Sequence, residues 1–292
     1  MRPGPAAVVK LILDTTAIDA PPVPIVELAT ELIVSQGWET SRHVARERGE
    51  RWAEQILTRI QTEINALGEV GRPPRITFNS SSGYMLQGAC FVEPSDSNEL
   101  IELKRRRARA AEYLTLLGSI SALQFEKLCG RLLQLLGIHN VVVTRRSADE
   151  GIDFYGTLEV GRLLPAGLTA TVQRHLSVTV IGQAKRYLDT QVGTAEIRDL
   201  VGAITLLRSG AIGSVKTPFN DLRVRAAEPL FAVLATAGSL SLNAWRLLLE
   251  SGVIGFDGEM IAAFLADQEA SIRDSHFDRD VFYEWLDKPV SA

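Results

Sequence analysis

From Ser119 onward the chain alternates helical and strand patterns, and this alternation constrains its fold more than any other feature. Ser121 followed by Gln124 forms a capping box that opens an amphipathic helix, SALQFEKLCGRLLQLLG, closed by Gly137. Two β-rich runs follow, NVVVT and IDFYGTL, on either side of the polar turn RRSADEG. A strand in HLSVTVIGQAKRY comes next, then the helix TAEIRDLVGAITLLRS, expected to be capped by Thr194. FAVLAT reads as a buried strand from its unbroken apolar run. A helix LNAWRLLLES, a strand VIGFD and a helix EMIAAFLAD complete the order α-β-β-β-α-β-α-β-α. That order predicts a three-layer α/β domain with a mixed sheet over residues 119–267.

Residues 1–118 read differently, as a mainly helical region with a β-hairpin. Pro24 leads into the helical pattern IVELATELIVSQ, which stops at Gly37. Ser41 opens a long helix to about Leu67, with Trp52, Ile56, Ile60 and Ile64 at i, i+4 spacing. Gly68, Gly71, Pro73 and Pro74 break it, and RITFNS and YMLQGACFVE then flank a Ser-Ser-Gly turn. In order alone, helices followed by a hairpin resemble a winged helix. SNELIELKRRRARAAEYLTLLG reads as one connecting helix, its Lys104–Arg107 run a wet side, with a domain boundary near Gly118. This region serves recognition, regulation or assembly.

Charge narrows the function classes. The formal net charge is −4, and residues 267–292, with seven acids against Arg273, Arg279 and Lys288, account for all of it. A polybasic nucleic-acid coat is excluded, while a local basic cleft is not. Residues 268–292 are expected to form an acidic, solvated helix or tail. Two cysteines, Cys90 and Cys129, fit a reducing cytoplasm rather than a disulfide scaffold. No signal peptide and no membrane span are expected. His43, His139, His175 and His276 are scattered, with no partner at zinc spacing. GxxxxGK is absent, so an ATP-driven motor would have to be a separate partner.

One constellation carries chemistry. Asp153 opens a strand after Gly151. Gln183 and Lys185 lie on the next strand at i and i+2, so their side chains share a face. If the two strands pair antiparallel, a carboxylate, an amide oxygen and an ammonium converge. Mg²⁺ takes hard oxygen ligands, and a bound cation lowers the pKa of water and neutralises phosphate charge. Asp153 and Gln183 are the candidate ligands, and Lys185 the group that orients water and stabilises the transition state. Glu126, on the preceding helix, could hold a metal water or a second ion if that helix packs under the strands. Each element alone is common: Asp after Gly is a turn residue, Gln-x-Lys a sheet edge. Arg145 and Arg146 are either phosphate contacts at the site mouth or part of a solvated loop.

These residues bring the half-chain close to a known family. LQFEKLCGRLLQLLG, VVVTRRSADEGIDFYG, VIGQAKRY and VGTAEIRDLVGA resemble the Mrr-like restriction endonucleases of the PD-(D/E)XK nuclease superfamily, with looser likeness through FAVLATAG and VIGFDGEMIAAFLAD. The resemblance implies a restriction-endonuclease-like core and a Mg²⁺-dependent DNA endonuclease, with Mn²⁺ as a substitute. It implies Asp153 as metal ligand, Gln183 as the variant of the second acid, Lys185 as catalytic lysine and Glu126 as helix acid. Arg186 and Tyr187 fall near the backbone phosphates. DNA is the implied partner and bacterial defence against foreign or modified DNA the implied setting, with a possible defence-system partner protein. Cutting both strands implies a homodimer or higher homo-oligomer. The alternatives are a non-catalytic nucleic-acid-binding or assembly module, or an RNA nuclease. Two stretches depart from the family, VGRLLPAGLTATVQRH and SGAIGSVKTPFNDLRVRAAEP, both insertions of either contact or inert character.

Overall fold

The computed structural model describes the chain except residues 1, 145–150, 164–175, 211–221, 223, 225–226, 275 and 289–292. It divides into two compact units, residues 1–110 and 111–292.

The first unit begins with a helix that the apolar start of the chain does not announce, because Lys10 and Asp14 interrupt the run. Pro5 sits in the first turn, where its missing N–H costs no bond, and α1 runs over Pro5–Thr15. Val8, Val9 and Ile12 form its buried stripe. A short strand β1 (Val23–Pro24), then α2 (Ile25–Ser35) and α3 (Arg42–Glu69), follow. Gly37, at φ +66°, makes the left-handed exit from α2. On α3, Ile56 and Ile60 are fully buried and Trp52 and Ile64 pack at the margin of the same cluster. β2 (Ile76–Asn79) and β3 (Ser82–Gly88) form the hairpin, and β1 joins it to give an antiparallel sheet of order β1-β3-β2. The described elements of this unit up to the hairpin thus run in the order α-β-α-α-β-β. β3 stops at Gly88, where a Cβ would lie 2.2 Å from the Ile18 carbonyl oxygen.

The connecting helix is two helices, α4 (Asn98–Arg107) and α5 (Ala110–Ser119). Ser97 caps α4, accepting a hydrogen bond from the Leu100 N–H. The basic run Lys104–Arg107 fills the last turn, where cations meet the negative end of the helix dipole. The Arg109 N–H then bonds back to the Arg106 carbonyl, a tight closing turn.

The second unit is a three-layer α/β/α core. The capping box on Ser121 and Gln124 opens α6 (Ala122–Leu135). The sheet contains β4 (His139–Val143), β5 (Phe154–Glu159), β6 (Ser177–Lys185), β7 (Leu230–Thr236) and β8 (Ile254–Phe256), side by side in that order. β4, β5 and β6 pair antiparallel, and β6, β7 and β8 pair parallel. The parallel half requires crossovers, supplied by α7 (Thr194–Arg208) and α8 (Leu242–Ser251). Gly193, not Thr194, occupies the cap position of α7, and the Glu196 carboxylate accepts its N–H at 3.1 Å.

Alternation along the strands sorts the two layers. Tyr155, Ile181 and Leu234 pack with Ile197, Leu200 and Leu207 of α7 and Leu248 of α8. Phe154 and Val233, one residue out of step, face Cys129 and Leu133 of α6 and Ile261 of α9 (Gly258–Asp267) around a small apolar void.

The acidic C-terminal segment contains a two-stranded ribbon, β9 (Ile272–Arg273) with β10 (His276–Phe277), and α10 (Arg279–Asp287). α10 is not wholly solvated: Phe282 and Leu286 are fully buried, and each such side chain contributes about 1.5–3 kcal/mol. It docks on α6, where Lys127 meets Asp287 at 2.9 Å and the Arg131 guanidinium lies over the Trp285 ring. Among the described residues, no helix is long and apolar enough to cross a membrane.

Candidate active site

The antiparallel pairing of β5 and β6 is the condition on which the site depends, and the register satisfies it. Phe154 lies opposite Gly182, so Asp153 is drawn level with Gln183. Gly182 is needed there: a Cβ on it would fall 2.0 Å from the Phe154 ring, which lies across that point of β6. Gly151, at φ +76°, turns the chain into β5 just ahead of the acid.

Asp153 is fixed by its backbone on both sides. Its N–H donates to the Gly182 carbonyl at 2.9 Å, and its own carbonyl accepts from the Thr144 N–H at 2.9 Å. The Thr144 hydroxyl donates to the carbonyls of Ile152 at 2.9 Å and Asp153 at 3.1 Å. The Asp153 carboxylate then reaches across to β6, where Oδ2 accepts the Ala184 N–H at 2.7 Å. Ala184 lies between Gln183 and Lys185, so the acid is pinned between the other two members of the set. Burial is the largest influence on the carboxyl and raises its pKa, opposed by the Ala184 hydrogen bond and the Lys185 charge.

Gln183 is only 4% exposed, and its Oε1 has no hydrogen-bond partner among the described residues. A buried acceptor left unpaired costs about 1–3 kcal/mol, and such groups are rare unless a ligand completes them. Lys185 shares the β6 face of Gln183, is half-buried, and acts electrostatically on Asp153.

Glu126 is half-buried on α6, one turn before Cys129. The Cys129 thiol senses both acids. Burial, then the charges of Asp153 and Glu126, push it well above its usual range, so it stays protonated and unreactive. The two carboxylates thus act on the same stretch of α6.

The remaining candidates divide. Arg186 Nη2 donates to the Gly118 carbonyl at the end of α5, at 2.8 Å. Tyr187 packs against the cluster shared by α7 and α8. Both are engaged inside the unit. Arg145 and Arg146 lie outside the described residues, as do the centres of both insertions. Thr144, which braces Asp153, and the Ala184 N–H, which holds its carboxylate, were not read from the sequence. Their roles exist only once β4, β5 and β6 are in register.

The donor set suits a hard divalent cation: the Asp153 carboxylate and the Gln183 amide oxygen, which has no partner among the described residues. Among the described residues, no group of three His, Cys, Asp or Glu side chains converges as a metal cage.

No curated protein matches the chain. Two solved structures resemble it in part. One is the MspJI restriction endonuclease in complex with a 27-mer oligonucleotide, at 17% identity and a TM-score of 0.40. The other is the DNA modification-dependent restriction endonuclease AspBHI, at 19% identity and a TM-score of 0.39. The matches cover 68% and 72% of this chain, which spans 40% and 46% of those proteins. Residues 117–215, about a third of the chain, match the Mrr_cat family. This matched segment, similar to a restriction endonuclease family, holds Glu126, Asp153, Gln183 and Lys185.

Proposed function

We propose that the chain is a divalent-metal-dependent DNA endonuclease of a restriction system, with Asp153, Gln183 and Lys185 as its working residues. The observation that carries this reading is the unpaired, buried Gln183 Oε1 beside an acid that the Ala184 N–H holds in place. A buried amide oxygen with no donor among the described residues is a position that a cation ligand would complete.

Asp153 and Gln183 would hold Mg²⁺, or Mn²⁺ in its place, and Glu126 would hold a water on it or a second ion. When bound, the cation supplies an activated water and neutralises charge on the phosphate oxygens. Lys185 orients that water and donates a hydrogen bond to the oxygen on which charge develops. The Ala184 N–H keeps the Asp153 carboxylate from swinging out of position. Ile152 and Phe154, the chain neighbours of Asp153, are both buried, and a surrounding of low polarity strengthens each charge interaction.

Two strands need two such sites, so the cutting species is a homodimer or higher homo-oligomer. The setting is bacterial defence in the cytoplasm against foreign or modified DNA, alone or with a partner protein of the same system.

The test is cleavage of labelled duplex DNA, single strands and RNA with Mg²⁺ or Mn²⁺. Wild type is expected to cut duplex DNA, and Lys185→Ala to lose at least about 10³-fold in rate while staying folded. A Lys185→Ala protein that cuts at the wild-type rate overturns the assignment, and cleavage of RNA alone overturns the substrate.

A further inference from the structure

The chain just past Lys185 is held by two elements, and only one of them is its neighbour in the sheet. On the β7 side, the Lys185 carbonyl accepts the Ala237 N–H at 3.3 Å, one step beyond the last paired residues, Lys185 and Thr236. Tyr187 then passes close to Gly238, where a Cβ would lie 2.1 Å from the Tyr187 carbonyl oxygen. The second hold comes from a side chain. Arg186, half-buried, is the first residue beyond β6, and its Nη2 donates to the Gly118 carbonyl at 2.8 Å.

Gly118 lies in the last turn of α5, whose final carbonyls have no donor within the helix. A cation suits that end, since the helix dipole is negative there. Ser121, three residues on, caps α6. The guanidinium is thus fastened to the corner between α5 and α6, while its own backbone continues the strand of Gln183 and Lys185. Its Nε is buried and has no hydrogen-bond partner among the described residues. An arginine grips a phosphate with a pair of N–H groups, and the side-on pair includes Nε. Burial closes that pair to a ligand arriving from solvent, and Nη2 is already spent on Gly118.

The geometry points to Arg186 as a positioning residue that sets where Lys185 stands relative to Asp153, rather than as a contact for DNA phosphates. The inference rests on the endonuclease reading above, which gives Lys185 its work. Lys185 acts on Asp153 through its charge, and its ammonium stands on a flexible four-carbon stem. The base of that stem must therefore be fixed, and the bond from Arg186 to Gly118 fixes it from the helix side. A displacement of about 1 Å in a reacting group can cost roughly 10²-fold in rate. Without the bond, the end of β6 keeps only its hold on β7. Affinity for DNA is untouched, because no phosphate contact is lost.

The experiment compares the full chain with Arg186→Met, which keeps an apolar stem but no donor, and Arg186→Lys, which keeps a donor. Single-turnover cleavage at saturating duplex with Mn²⁺, duplex affinity across a salt series without divalent ion, and thermal unfolding are measured for each. Arg186→Met is expected to cut about 10- to 100-fold more slowly at saturation, with affinity and the slope of log K against log salt as in wild type. Arg186→Lys, whose ammonium can donate to the Gly118 carbonyl, is expected to recover most of the rate. Arg186→Met cutting at the wild-type rate overturns the inference. So does a loss confined to affinity, with a salt slope shallower by about one, which marks a phosphate contact. An Arg186→Met protein unfolded at the assay temperature, or an Arg186→Lys protein no faster than Arg186→Met, overturns it too, the residue then only holding the fold. Each of these results leaves the endonuclease reading standing. A folded wild type that cuts no duplex with Mg²⁺ or Mn²⁺ overturns that reading and this inference together.

Discussion

Two acids of this molecule, Glu93, only 8% exposed, and Asp153, half-buried, are treated in opposite ways. Glu93 is met by the Ser80 hydroxyl and N–H and the Gln87 amide, and its pKa is lowered, the Ser80 hydroxyl being the largest cause. Asp153 receives one N–H, from Ala184, and burial raises its pKa despite that bond and Lys185. The glutamine beside each acid repeats the contrast. Gln87 spends both ends of its amide inside the chain, while the Gln183 oxygen has no partner among the described residues. An acid met by several donors braces the fold; an acid with one donor among the described residues, next to an amide oxygen with none, is the pair that the proposed cation would complete.

The comparison breaks most visibly in activity. Asp153→Asn is expected to abolish cleavage while leaving the unfolding temperature within a few degrees of wild type. Glu93→Gln is expected to retain the cleavage chemistry at saturating DNA and to lose about 1–3 kcal/mol of stability, because Ser80 and Gln87 lose a charged acceptor. Paired measurements of cleavage rate and thermal unfolding check both, and the reverse pattern would dissolve the distinction.

A second test strikes the register that places Asp153. Gly182→Ala forces a methyl into the Phe154 ring and is expected to cost about 1–3 kcal/mol together with most of the activity. Adding Phe154→Ala makes room for the methyl. In a double-mutant cycle on stability, the pair is expected to lose less than the sum of the two single changes. Strict additivity would mean that the ring and the glycine do not determine the pairing of β5 with β6.

The smallest effect is in acid. Because the folded-state pKa of Glu93 is depressed, its stabilisation is complete above the ordinary glutamate value and is lost as pH falls through the folded-state value. Asp96, lowered first by its hydrogen bond from Lys104, adds to the same window. Urea unfolding between neutral pH and pH about 3 is expected to show wild type losing its margin over Glu93→Gln, the two curves converging at the acid end.

Much of this was legible in the chain itself, for identifiable reasons. The order of helices and strands from Ser119 to Asp267 follows from periodicity and caps, and the Ser121–Gln124 box appears as read. Asp153, Gln183 and Lys185 could be placed together because the strands are consecutive and the i, i+2 rule fixes a face. Helix α1 was hidden by Lys10, which the structure leaves at the surface of the helix while Val8, Val9 and Ile12 turn inward. The hairpin turn falls on Ser80–Ser81, ahead of the Ser-Ser-Gly expected, because Glu93, thirteen residues away, captures Ser80. The docking of α10 on α6 depends on partners about 160 residues apart, beyond any local pattern. Thr144, Gly182 and the Ala184 N–H have the same character: ordinary residues whose roles are created by strand register.

The central claim is that Asp153 and the unpaired amide oxygen of Gln183 form a cation site. Crystals soaked in millimolar Mn²⁺ test it directly, since the ion's anomalous signal identifies it without reference to activity. The account predicts a peak at about 2–2.5 Å from an Asp153 carboxylate oxygen and Gln183 Oε1, lost in Asp153→Asn. Density with no ion there at that supply, and Gln183 Oε1 hydrogen-bonded to a protein donor instead, would contradict it.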